Sequence, residues 1–284
     1  MPKQIHWFPG HMSKALREIE GKIKIVDVII ELLDARAPLS SINEYLEDVI
    51  ENKKKLIVLS KIDLADPNQT KLWVDKLKER YEMVLALDLT KESAEKEIAK
   101  AVTILGKDKH EKEIKKGMKP QPIRAMILGI PNVGKSSLIN RLASRKAAGV
   151  QNKPGFTRGE QWIKVNKDFE LLDTPGVLPM NYENKDKATK LALLGSIKEE
   201  ILPNSDLCMY LLKFLKDKYP ESLKDRFNIE EINDDYLTVM NNIAKRRGLM
   251  KSGNPDIEKA EALLLHEFKN GKLGKITLEW LIWR

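Results

Sequence analysis

The apolar positions of this chain change their spacing from one region to the next. Short runs rich in β-branched residues, at 26–33, 56–59, 83–87 and 123–128, alternate with stretches of helical period, which predicts buried parallel strands in an α/β sheet. Residues 161–165 and 169–172 read as two more strands, and 135–144 as a helix. Leu16, Ile19 and Ile23 form an i, i+3, i+7 stripe behind Ser13, which predicts an amphipathic helix capped by that serine. Residues 107–122 are polar, Lys-rich and end in Pro120-Gln121-Pro122, so they read as a linker. After Pro203 the period is helical throughout: 206–216, 229–247, 257–269 and 273–283 carry no strand signal. Two units are expected, residues 1–203 around the sheet and 204–284 all helical, a division that suits 284 residues.

Composition narrows the class. With 42% apolar and 32% charged residues the chain is globular rather than disordered or fibrous. Its longest strongly apolar run, 26–33, contains Glu31 and is far shorter than the roughly 20 residues of a bilayer span. No membrane partner is expected. The opening residues resemble neither a secretory signal nor a transit peptide, and the single cysteine, Cys208, suits a reducing compartment, so a cytoplasmic protein is expected with Cys208 buried and inert. His/Cys zinc spacing is absent. The net charge of +8 is unevenly spread: residues 107–165 hold fourteen basic and four acidic residues, a surplus of ten, which leaves the remainder at −2. Such a stretch is either solvated surface or a contact for nucleic-acid phosphates.

The chemistry is densest between the fourth strand and the helix that follows. Gly129-Ile130-Pro131-Asn132-Val133-Gly134-Lys135-Ser136 fits G-x-x-x-x-G-K-[ST] in the strand-to-helix context this loop requires. Its amides, from Asn132, Val133 and Gly134 to Ser136 and Ser137, are expected to surround phosphate oxygens, with Lys135 at the β/γ-phosphates and Ser136 on Mg²⁺. Asp173-Thr174-Pro175-Gly176 follows the strand at 169–172, placing Asp173 to hold Mg²⁺ through water and the Gly176 amide to meet a γ-phosphate. Thr157 lies between them in a loop from which its hydroxyl can reach Mg²⁺, against the alternative of an ordinary loop threonine. Ser60-Lys61-Ile62-Asp63 falls at a strand's carboxyl end, where a carboxylate can accept from guanine N1–H and N2–H₂ while the Lys61 stem covers the purine. That selects GTP over ATP.

Base-recognition residues Lys61 and Asp63 precede Gly129, so the motif order is G4, G5, G1, G2, G3. This order is similar to that of the circularly permuted GTPases. Together with Trp7-Phe8-Pro9-Gly10-His11-Met12 and Asp34-Ala35-Arg36-Ala37-Pro38, it resembles the ribosome biogenesis GTPase A (YlqF) family along nearly the whole chain. Ser60 departs from the family's usual Asn or Thr, although a short hydroxyl can still tie its loop to the phosphate loop. The fifth loop falls at Asp88-Leu89-Thr90, departing from the usual Ser-Ala and offering a backbone contact.

The resemblance implies a Rossmann-like P-loop sheet with an RNA-contacting helical tail. It also implies GTP hydrolysis tied to assembly of the large ribosomal subunit, with the subunit precursor and rRNA as partners and a monomeric protein. Val177, at the position that orients water in Ras-like enzymes, predicts slow unaided hydrolysis. The resemblance implies that His11 swings toward the γ-phosphate on the particle, against the alternative of a packing residue beside Trp7 and Phe8. Asn132 is either a loop asparagine or a ligand for an activating K⁺. In the tail, Lys245, Arg246, Arg247, Trp280, Trp283 and Arg284 read equally as rRNA contacts or as a helix end with a small core. Two rivals stay open: a regulatory GTPase acting on protein effectors, and an RNA-binding assembly factor whose nucleotide site is only structural.

Overall fold

The computed structural model describes residues 10–50, 52–144, 162–172, 184–197, 202–229 and 235–282, with backbone alone at 10–15 and 143–144. A six-stranded sheet is built from β1 (Val28–Asp34), β2 (Lys54–Ser60), β3 (Met83–Ala86), β4 (Ile123–Gly129), β5 (Trp162–Lys164) and β6 (Phe169–Leu172). The strand order is β3-β2-β1-β4-β6-β5. All pairs are parallel except the edge pair β5–β6. Every residue of β1 is buried, as a central strand covered on both faces must be.

Alternation along β1 sorts its side chains between two layers. Val28, Ile30 and Leu32 enter the largest core, shared with α5 (Glu92–Leu105), α7 (Lys135–Ser144) and the helices after α8 (Lys185–Leu193). On the other face Ile29 meets α1 (Gly10–Lys22) and α3 (Glu44–Val49), while Leu33 packs toward Trp73 of α4 (Pro67–Lys78). Glu31 falls on this second face, and its Oε2 has no hydrogen-bond partner among the described residues. Burial, reinforced by the neighbouring Glu47, pushes its carboxyl up to about 8. Glu47 itself accepts from Lys55 at 2.9 Å, Arg80 at 2.6 Å and the Tyr81 hydroxyl at 3.1 Å.

The tail holds α9 (Asn204–Lys218), α10 (Glu221–Phe227), α11 (Tyr236–Arg246) and α12 (Ile257–Lys269), whose apolar faces join the sheet's core without a break. Cys208 is fully buried there, and burial, with Glu261 nearby, pushes its thiol up, consistent with an inert side chain. Side-chain caps fix several starts: Asp66 accepts from the Asn68 and Gln69 amides behind Pro67, and Asp256 accepts from the Lys259 amide.

Four expectations fail for identifiable reasons. The helix behind Ser13 begins at Gly10, so Ser13 lies inside it: the apolar stripe marks the buried face and not the first turn. Within the expected linker, α6 (Lys107–Lys115) forms, because alternating Lys and Glu at i, i+4 suit a helix that needs little core, as in Lys107–Glu111 at 3.6 Å. The helix expected from 229 begins only at Tyr236, since Asn228 ends α10 in a left-handed turn; a two-residue hairpin, β7 (Met250–Lys251) with β8 (Asn254–Pro255), also interrupts the tail. No helix forms over 273–282, where positive-φ Gly271 and Gly274 break the pattern and the backbone amides bond the sheet unit instead.

Candidate functional site

The carboxyl ends of β1, β2, β3 and β4 share one edge of the sheet, the edge where open α/β sheets bind ligands. Leaving β4, the chain turns at Gly129 with φ +150°, where a Cβ would stand 2.7 Å from the Leu32 carbonyl oxygen. Only glycine fits that approach. Gly134, at φ +107°, faces Leu89, whose Cδ1 would lie 3.2 Å from an added Cβ. Lys135 is buried and its ammonium donates to the Gly129 and Ile130 carbonyls at 2.9 and 3.0 Å, which holds a positive charge against the loop at the start of α7. Ser136 and Ser137 are exposed in that first turn. Asn132 sits at φ +60°, and its amide nitrogen donates to the Gly195 carbonyl at 2.6 Å, joining the loop to the turn after α8.

The base-recognition loop is tied to the phosphate loop. Ser60 Oγ lies 2.7 Å from the Val133 carbonyl and 3.0 Å from the Leu33 carbonyl, serving one of them at a time with its single proton. The hydroxyl thus makes the tie expected of it despite the departure from Asn or Thr. Lys61, at φ +55°, places its ammonium 3.1 Å from Asp34 Oδ2, and Asp63 is exposed in the following turn. In the loop after β3 the Asp88 carboxylate accepts from the Thr90 amide at 2.9 Å and the Thr90 hydroxyl at 2.6 Å; that hydroxyl bond foremost holds its carboxyl below the ordinary range. Arg141 of α7 donates to the Thr90 carbonyl, so this loop too is fastened to the phosphate-loop helix.

Thus Ser60, Lys61, Asp63, Asp88, Leu89, Asn132, Val133, Gly134, Lys135, Ser136 and Ser137 come together at one edge. Thr157, Asp173, Gly176 and Val177 lie outside the described residues, and of His11 only the helical backbone is described. Among its described residues the basic stretch does not form one surface. Lys109 bonds Asp27 at 2.8 Å and the Pro122 carbonyl at 2.9 Å, which fixes α6 at the amino edge of the sheet, opposite Lys135 and Arg141. In the tail, Arg247 is held over the Phe227 ring at 5.0 Å and on the Arg226 carbonyl at 3.1 Å, while Trp280 meets Tyr219 edge-on at 5.3 Å.

Sequence reasoning assigned no role to Asp34, Arg36, Gly195, Thr277 or Glu279. A signal existed for the first two: charged residues at the carboxyl end of a strand otherwise apolar but for Glu31, on the ligand-binding edge, need a partner or a function. Asp34 is buried against Arg36, with Nε and Nη2 at 2.9 and 2.8 Å from its two oxygens. Burial alone raises its carboxyl, yet Arg36 and then Lys61 outweigh that and hold it down at about 2.

Fold and site define a P-loop nucleotide-binding protein whose base-recognition loop precedes its phosphate loop, a circularly permuted GTPase. Residues 124–242 match the family model of the 50S ribosome-binding GTPases. Over 276 residues the chain is 46% identical to ribosome biogenesis GTPase A of Bacillus cereus, covering 97% of this chain and 93% of that protein. Against ribosome biogenesis GTPase A of Thermotoga maritima the identity is 32% over 274 residues, 96% and 93% of the two chains. The crystal structure of GNP-bound YlqF from T. maritima matches with a TM-score of 0.65 at 28% identity, covering 94% of this chain and 97% of that one. The chain belongs to the ribosome biogenesis GTPase A family. It binds guanine nucleotide and hydrolyses GTP to GDP and phosphate. Among the described residues no helix is long and apolar enough to cross a membrane.

Proposed function

We propose that this GTPase is a cytoplasmic, monomeric assembly factor for the large ribosomal subunit, binding the subunit precursor through rRNA and hydrolysing GTP faster on the particle than alone. The observation that carries its nucleotide chemistry is the Ser60–Val133 contact, which sets the base and phosphate loops side by side at one edge. Asp63 accepts from guanine N1–H and N2–H₂ under the stem of Lys61, and the backbone of Asp88 and Leu89 closes the base pocket. Amides of Asn132, Val133, Gly134, Ser136 and Ser137 hold phosphate oxygens, Lys135 neutralises charge developing on the γ-phosphate, and the Gly176 amide reaches the same group. Ser136, Thr157 and Asp173 would hold Mg²⁺, which would supply neutralising charge to the phosphates when bound. Single hydroxyls fit that ion, because phosphate and water complete its oxygen shell. Asn132 orients toward a K⁺ or remains a loop residue, and His11 is the candidate to orient the attacking water on the particle.

The relatives' names support the ribosomal half of the reading, and so does charge: Lys112, Lys115, Lys116 and Lys119 are exposed around α6. Residues 1–203 act as the nucleotide unit and 204–284 as the RNA-contacting unit. GTP turnover measured with and without large-subunit precursor, across a salt series, tests it. Turnover should rise by tenfold or more on the particle, with binding that weakens steeply as salt rises. Equal turnover with and without particles, or stimulation by a protein fraction lacking RNA, would favour the regulatory alternative. His11→Ala should keep nucleotide and particle binding and lose the stimulation; if stimulation persists, replacing K⁺ by Na⁺ tests the cation instead.

A further inference from the structure

Residues 271–281 run back from the helical tail across the outer side of the base-recognition loop. The Ile276 amide donates to the Leu64 carbonyl at 3.1 Å, and the Asp66 amide donates to Thr277 Oγ1 at 3.1 Å. Tyr219 joins from just beyond α9, its hydroxyl donating to Asp66 at 3.2 Å and accepting from the Thr277 amide at 3.1 Å. At Gly271 an added Cβ would stand 2.8 Å from Leu64 Cδ2, so the turn after α12 lies directly on this loop. The inner side of the loop rests on Asp34, through Lys61. Arg36, which grips Asp34, also donates to the Lys269 carbonyl at 3.2 Å and accepts the Leu278 amide at 2.6 Å on its own carbonyl. A last anchor is the Glu279 carboxylate, buried at the start of α2 (Pro38–Ser41), where it accepts from the Leu39 amide at 2.5 Å, the Ser40 amide at 3.0 Å and the Ser40 hydroxyl at 2.5 Å.

We infer that Asp34 and Arg36 are positioning residues for guanine recognition, and that the strap 271–281 locks them, so that base binding and seating of the helical tail are coupled. This rests on the assignment of Lys61 and Asp63 to the base. The loop that carries those two side chains has Asp34 on one side and the strap on the other, and the bonds of the strap span more than 200 residues of sequence. The phosphate loop makes none of these contacts among the described residues, so loosening the strap lowers discrimination at the base and spares phosphate binding. Coupling is reciprocal: whatever draws the strap away weakens guanine binding, and bound guanine nucleotide holds the strap down.

The base contact is read by comparing GDP with IDP, which differs only in lacking the 2-amino group that Asp63 accepts from. Wild-type protein should prefer GDP by about tenfold, the scale of one hydrogen bond to a charged acceptor. Arg36→Lys keeps the charge and loses the fork, and Thr277→Val keeps the volume and loses the Asp66 contact; each should compress that preference to about threefold. A merely structural role lowers both affinities together and leaves their ratio unchanged, and that result overturns the inference. A wild type that fails to distinguish GDP from IDP removes the base assignment on which it rests. If Arg36→Lys does not fold, hydrogen exchange on the unmodified chain decides: the Ile276 and Leu278 amides should exchange severalfold more slowly with saturating GDP than without nucleotide, and unchanged exchange contradicts the coupling.

Discussion

The two halves of the nucleotide site are built differently. The phosphate side is local: Gly129 to Ser136 turn, donate and start α7 within eight consecutive residues, and Lys135 bonds carbonyls five and six positions behind it. The base side is assembled from afar, its loop wedged between Asp34 and a strap whose bonding residues lie more than 200 positions away. A local motif carries its own geometry and works wherever a strand precedes a helix. A loop held by distant segments takes its geometry from the whole fold, which gives a tail domain a physical handle on the nucleotide.

Damage to the local half should have the largest effect. Lys135→Ala removes the charge proposed to face the γ-phosphate and should lower GTP turnover by at least about a hundredfold while circular dichroism stays unchanged. Retained turnover would remove Lys135 from the mechanism. Gly129→Ala strikes the same half through sterics, since its Cβ would meet the Leu32 carbonyl at 2.7 Å. Roughly 2–3 kcal/mol of stability should be lost, measured by urea unfolding.

On the assembled half, Glu279→Ala strips the acceptor from the Leu39 and Ser40 amides and should cost about 1–3 kcal/mol by the same measurement. GDP affinity should fall severalfold. A variant equally destabilised but with wild-type GDP affinity would show that the strap supports the fold alone.

A smaller effect, away from both halves, supplies the control. Glu31 has its carboxyl raised to about 8 from an ordinary value of 4.5, so between those pH values the folded state keeps a proton that the unfolded chain releases. Stability from this group therefore falls as pH rises through that window and is level on either side. Glu31→Gln should abolish the slope, matching wild type near pH 4.5 and exceeding it above pH 8. Its GDP affinity should not change, which would separate stability from site geometry.

This division also explains what the sequence disclosed. The strands, α7 and α12 could be read because apolar runs and helical periods are local properties of the chain, and the P-loop because its glycines encode their own turn. Ser60's tie to Val133 could be anticipated, since a strand-end hydroxyl beside the phosphate loop has few other partners. Residues 273–282 misled because Leu273, Ile276 and Leu278 are apolar at near-helical spacing, yet their burial is against the sheet unit, which no local period reveals. Asp34 and Arg36 were visible as residues but not as a device, because their meaning depends on Lys61 and Lys269 arriving from other parts of the chain.

The central claim is that Asp63, at the carboxyl end of β2 and ahead of the phosphate loop in sequence, reads guanine. Asp63→Asn exchanges an acceptor for a mixed donor and acceptor, and xanthine carries an oxygen where guanine carries the 2-amino group. Competition binding with GDP and XDP on wild type and Asp63→Asn tests this directly. GDP should win on wild type by at least about tenfold, and the order should reverse on the variant. An Asp63→Asn protein that still prefers GDP to the wild-type extent would contradict the claim.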